Sequence, residues 1–150
     1  MDAGTLAWGI TSSALVLFMT PGVAFFYGGL VKAKSVISMM MMSFGAMALI
    51  AVLWILYGFN MAAVSDPWAF AGNPFSNFAL SSPELSSSDF VLALFGSTFA
   101  IITVALISGA IADRARFGSW MIFAGVWATV VYFPVAAWVW GGGWIMNLGT

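Results

Sequence analysis

Acid–base, thiol and metal chemistry have almost no raw material in this sequence. Its 150 residues include no histidine and no cysteine, and only five carboxylates and four basic side chains. That removes imidazole and thiolate ligands, thiol nucleophiles and disulfides, and leaves few groups able to move a proton. What remains is aromatic. Trp138, Trp140 and Trp144 surround Gly141-Gly142-Gly143. An indole face attracts a desolvating cation through its quadrupole. The same rings also anchor a chain at headgroup depth in a bilayer. Phe95, Phe99, Ile102 and Leu106 recur at i, i+4, i+7 and i+11, which on a helix makes one stripe of large apolar side chains. Such a stripe lines a hydrophobic passage or faces lipid. Gly96, Ala100, Thr103, Ile107 and Ala110 form an adjacent stripe of mostly smaller residues.

The elements that must position these groups are marked by the absence of charge. Hydrophobic residues make up 63% of the chain and charged residues 6%, against roughly 25% charged in a soluble domain. Mean hydropathy is +1.05. A chain this poor in charge cannot build a surface for water, so its solvent is largely lipid. The net charge of −1 gives no footing for a nucleic-acid partner. No charged residue occurs over 3–31, 35–65, 90–112 or 117–150. Each stretch exceeds the roughly 20 apolar residues that cross a hydrocarbon core. Lipid cannot hydrogen-bond a bare backbone, so these stretches must be helical. The pattern predicts an all-α polytopic membrane protein of about four transmembrane helices, near 6–31, 36–64, 90–112 and 117–138. No enzyme activity, cofactor or metal is expected. The first stretch does not read as a signal peptide, because Asp2 replaces a basic start and the apolar run is too long.

Lys32 and Lys34 fall between the first two helices, and Arg114 and Arg116 between the last two. An even number of crossings separates those loops, so all four cations share one side, which the positive-inside rule makes cytoplasmic. Loops 32–35 and 113–116 are then inside, and the N-terminus and the loop 65–89 outside. That outer loop carries only Asp66, Glu84 and Asp89. Its breakers, from Pro67 through Asn73-Pro74 to Ser81-Ser82-Pro83, mark an ordered connector, and Asp89 or Ser88 is the expected cap of the third helix. In the first helix, Thr20-Pro21-Gly22 invites a kink, while Gly22, Gly28 and Gly29 permit close helix packing. Asp113-Arg114-x-Arg116 suits a cytoplasmic helix end. No ionisable residue lies inside any span, so a charge-coupled pump has no relay here.

Taken together, these motifs resemble a known family. Met19-Thr20-Pro21-Gly22-Val23-Ala24-Phe25-Phe26-Tyr27-Gly28-Gly29-Leu30-Val31 is similar to the first-helix signature of the ammonium transporters, the Amt branch of the Amt/Mep/Rh superfamily. Ser35-Val36-Ile37-Ser38-Met39 resembles the start of that family's second helix, and Phe95 to Thr103 its third. Gly109-Ala110-x-Ala112-Asp113-Arg114-x-Arg116-Phe117 resembles the third-to-fourth connection. Phe133-Pro134-Val135-Ala136-x-Trp138-Val139-Trp140-Gly141-Gly142-Gly143 resembles the outer end of the fourth. The resemblance implies the first part of an eleven-helix fold that assembles as a homotrimer in the inner or plasma membrane. Each subunit would carry its own hydrophobic pore for ammonium or ammonia. It implies that Trp140 and Phe99 recruit the cation, that Phe99 also belongs to an aromatic gate, and that Phe95 is its neighbour one turn outward. Ala137 stands where many members have histidine. The family's paired pore histidines, a fifth-helix aspartate and a second gate phenylalanine lie on later helices, so the chain is expected to be the N-terminal fragment of a longer subunit. A cytoplasmic tail that meets PII-type regulators is likewise expected beyond it. An ammonium-sensing membrane domain and a small membrane scaffold are the alternatives. The sequence downstream of Thr150 and the native mass separate them.

Overall fold

A computed structural model describes residues 2–149. Four apolar helices dominate it: α1 (Ala3–Leu30), α2 (Ala33–Met61), α3 (Ser87–Ile111) and α4 (Phe117–Val139). At about 1.5 Å per residue even the shortest exceeds the ~30 Å hydrocarbon core. Three of the helices begin where a side chain satisfies free N–H groups or the first turn tightens; α4 begins after Arg116 with no side-chain cap. Asp2 caps α1 through a 2.8 Å bond from Thr5 N–H, and the Thr5 hydroxyl donates to its other oxygen at 2.9 Å. The Thr5 N–H and then that hydroxyl hold the Asp2 carboxyl below its ordinary range. The first turn of α2, Ala33–Ser35, is 3₁₀.

The start of α3 corrects the expected cap. Ser86, not Asp89 or Ser88, is the N-cap, and its side chain accepts from Asp89 N–H while the Asp89 carboxylate takes the Ser86 N–H at 2.8 Å. This reciprocal box satisfies two free donors at once, which a cap at Asp89 could not. The helix therefore starts at Ser87 rather than near 90. At the other junction α2 stops at Met61 and the chain beyond pairs with the glycine loop that follows α4, Val64 N–H bonding Gly141 O at 2.8 Å. Helix α1 runs unbroken through Pro21.

The second helix is central. It runs antiparallel to α1, with Gly28 against Met40 and Val36, and antiparallel to α3, with Gly96 against Trp54. It runs parallel to α4, where Gly45 meets Phe117 and Met121, and Gly58 meets Phe133. Met42, Ala46, Ile50 and Trp54 follow one another at i+4 along its buried face and form the spine of the core. Ala100, Ile101, Val104 and Ala105 of α3 and Trp120, Ala124 and Ala128 of α4 pack into that core. Two indoles tie the helices where lipid offers no partner: Trp54 N–H donates to Ala93 O and Trp120 N–H to Met42 O, each at 2.9 Å and buried. Tyr27 O–H donates to Leu106 O at 3.0 Å and ties α1 to α3.

These pairings put Lys32, Lys34, Arg114 and Arg116 at one end of the bundle, and Asp2, Asp66, Glu84 and Asp89 at the other. At the acidic end the connector after α2 is fastened to helix ends by Gly72 N–H to Met61 O at 2.9 Å and by Trp138 N–H to Phe70 O at 2.8 Å.

Candidate functional site

At the acidic end, α2, α3 and α4 diverge around a cavity of about 470 Å³. Helix α3 contributes Leu92, Phe95, Gly96 and Phe99, which are the i, i+3, i+4 and i+7 positions of one face. Helix α4 contributes Tyr132 and, past its end, Trp140 and Gly141. Trp54, Phe59, Ala62 and Ala63 close the side formed by α2. None of these side chains is charged, and their only polar groups are the Tyr132 hydroxyl and the indole N–H groups.

Phe95 and Phe99 stand edge to face, their centroids 4.9 Å apart with a 70° interplanar angle. In that geometry the positive edge of one ring meets the negative face of the other. Phe99 is 37% exposed and Trp140 59% exposed, and both line the cavity. The three residues singled out by sequence, Phe95, Phe99 and Trp140, thus line one space. Trp138 and Trp144 do not join them. They sit with Trp68 and Phe70 around a separate outer cleft, where the Trp138 and Trp144 rings are tilted, 6.3 Å apart. The tryptophan cluster therefore divides in two.

Trp140 is aimed by the glycine loop at its C-terminal side. Its backbone leaves the helix at φ −138°, ψ −2°. Gly141 and Gly143 N–H groups return to Ala136 and Ala137 carbonyls at 2.9–3.1 Å. Gly142 lies at φ +92°, where a side chain is strained, and a methyl on Gly141 would overlap Ala62 O. The Asn147 amide bridges Gly142 O and Gly143 O, each at 2.9 Å. Three glycines in succession let the chain reverse tightly enough to hold the indole over the cavity.

The floor holds residues that sequence reasoning missed. Trp54 lies against Gly96, where a methyl would stand 2.6 Å from its Cζ2 atom, and its N–H is spent on Ala93 O. Its ring centroid is 5.6 Å from Phe133 and 6.5 Å from Tyr132. The available signal was position: an indole and a phenol well inside apolar spans, away from the interface belt where such rings normally sit. Of the three helix-one glycines singled out by sequence, Gly28 meets another helix, while Gly22 and Gly29 face open space; Gly9, nearer the start of α1, abuts Val91 of α3.

Comparison with known proteins bears on the whole chain. The model of the Ammonium Transporter Family matches residues 7–150. The ammonium transporter of Mycobacterium tuberculosis is 47% identical over 97% of this chain and 37% of its own length. That of Aquifex aeolicus is 44% identical over all of this chain and 37% of its own. Among solved structures, Mep2 of Candida albicans aligns with a TM-score of 0.87 at 34% identity, covering 99% of this chain and 34% of its own. Mep2 of Saccharomyces cerevisiae gives 0.83 at 32%, covering 99% and 36%. The chain spans little more than a third of the length of the relatives it matches. Matched from residue 7 to its end, it belongs to the ammonium transporter family.

Proposed function

We propose that this chain supplies the outer recruitment site of a transmembrane path for ammonium. The cation sits between the faces of Trp140 and Phe99, and Phe99 with Phe95 forms the aromatic constriction beside it. The observation that carries this reading is the cavity that gathers those three rings with no charged side chain in its wall. Ammonium must lose water to enter an apolar passage, and moving a bare charge out of water is expensive. Cation–π contact returns about 0.5–2 kcal/mol per well-placed ring and asks for no counter-charge. A site without a carboxylate holds the ion weakly enough to release it, which conduction requires. It also has no base, so any proton is surrendered deeper in the path, on helices outside this chain.

On the same reading the acidic end faces outward in the cell membrane, where Asp66, Glu84 and Asp89 draw cations toward the mouth. The open faces of Gly22 and Gly29 on α1 would then meet a second subunit of a homotrimer, and a PII-type regulator would act through a region beyond these residues. The test is uptake of labelled methylammonium by cells expressing the gene product that carries this chain. Ammonium should compete with it and potassium should not. Phe99→Ala should admit competition by potassium, because it removes the dry constriction. Uptake that is insensitive to Phe99→Ala and equally competed by both ions would overturn the assignment.

A further inference from the structure

Two helices bordering the cavity each contain one turn of π-helix. In α2 the turn spans Trp54–Gly58, closed by Phe59 N–H on Trp54 O; in α4 it spans Ala128–Tyr132, closed by Phe133 N–H on Ala128 O. An i→i+5 turn adds one residue to the helix and rotates everything beyond it by about 100° relative to an α-helix. Such turns are rare and concentrate at functional sites. Here each one contributes a residue to the cavity floor, Trp54 from the first and Tyr132 from the second.

The two turns are joined by a single side-chain bond. Tyr57 Oη and Thr129 Oγ1 are 2.8 Å apart, with one residue in each π turn. Thr129 donates its only proton to Gly125 O at 2.8 Å, so Tyr57 is the donor and Thr129 the acceptor. Neither hydroxyl lines the cavity. Phe133 fills the space behind the bond, 5.9 Å from the Tyr57 ring and against Gly58. The registers of the two insertions are therefore coupled by a contact that touches no transported species.

The geometry points to the Tyr57–Thr129 bond as a positioning clasp that sets the height of the cavity floor, and through it which ammonium cations fit beneath Trp140 and Phe99. This rests on the reading of the cavity as the recruitment site. With the clasp intact, Trp54 and Tyr132 are held at fixed height and the space admits a small cation best. With it broken, either π turn can slip toward α-helical register, the floor drops, and discrimination by size relaxes while the helices still pack through Trp120 and the core around it.

The experiment compares uptake of methylammonium and dimethylammonium by cells expressing the gene product carrying Tyr57→Phe, Thr129→Val, both together, or Thr129→Ser. The yield and thermal midpoint of each purified variant are measured alongside. Tyr57→Phe and Thr129→Val should each raise the methylammonium half-saturation constant by about threefold to tenfold, the range expected for one lost hydrogen bond. Each should also bring the two substrates' constants closer together, with the maximal rate within about twofold of wild type. The double variant should match either single one, and Thr129→Ser, which keeps the acceptor, should restore wild-type values. Unchanged constants and an unchanged substrate ratio in Tyr57→Phe and Thr129→Val, with wild-type uptake intact, would overturn the clasp alone. A wild-type protein with no methylammonium uptake would overturn the recruitment site and the clasp with it.

Discussion

Gly96 and Trp54 form a tight side-chain contact in the cavity wall, and replacing Gly96 by alanine tests whether that contact seats the Trp54 ring. A methyl there would lie 2.6 Å from Cζ2, 3.4 Å from Cη2 and 3.5 Å from Cε2 of Trp54, all atoms of the six-membered ring. Carbon atoms settle about 3.5–4.0 Å apart, so the ring must withdraw by about 1 Å. Its N–H is held by Ala93 O at 2.9 Å, and Phe133 stands behind it, so it cannot withdraw freely. Overpacking of this kind costs about 1–3 kcal/mol. Trp54→Phe costs roughly 1 kcal/mol for the lost hydrogen bond and about 1 kcal/mol for the ring volume removed. Independent effects would sum to about 4 kcal/mol. The smaller ring, however, vacates the atoms that the methyl strikes, so Gly96→Ala should cost less than about 0.5 kcal/mol in the Trp54→Phe background. Unfolding free energies from SDS titration of the four purified proteins measure this cycle. Additive costs within about 0.5 kcal/mol would refute the steric reasoning.

Other outcomes rest on the same contacts. Trp120→Phe removes the N–H donated to Met42 O and part of a buried ring, and should cost about 2 kcal/mol on the SDS scale without changing methylammonium half-saturation, since Trp120 lies outside the cavity. Gly142→Ala forces a side chain at φ +92° with its methyl 2.7 Å from Val64 O; about 1–2 kcal/mol of strain should appear, together with weaker methylammonium half-saturation, because this loop aims Trp140. The chain has no cysteine, so single cysteines report topology cleanly. A Ser81→Cys variant should react with an impermeant maleimide in intact cells, and an Ala33→Cys variant only after permeabilisation.

Much of the fold was legible because lipid imposes a simple rule: where nine charges fall in 150 residues decides where helices cannot be. The uncharged stretches at 3–31 and 117–150 contain α1 and α4, and each cationic pair sits at the same end of the bundle. Helix starts were less legible. Asp89 looked like a cap by residue type, but the reciprocal bonds with Ser86 place it one turn inside. Phe95 and Phe99 were marked by helical spacing, and Trp140 by the family motif and its glycines. The floor was hidden for a physical reason. Trp54 and Tyr132 continue the i+4 runs of buried core residues Met42-Ala46-Ile50 and Trp120-Ala124-Ala128, so spacing marks them as packing rather than as cavity lining. The split of the tryptophan cluster was hidden too, since Trp138, Trp140 and Trp144 look equivalent until the helix end and the φ of Gly142 send them to different sides.

The half-saturation constant for methylammonium uptake in Trp140→Leu, set against Trp68→Leu, bears most directly on cation recruitment at the aromatic cavity. Both substitutions remove an exposed indole at the acidic end, 59% and 83% exposed respectively, but only Trp140 lines the cavity with Phe95 and Phe99. Trp140→Leu should raise the constant about 3- to 30-fold, the equivalent of one cation–π contact, while Trp68→Leu leaves it within about twofold. Equal behaviour of the two variants would make Trp140 another interface anchor and contradict the site.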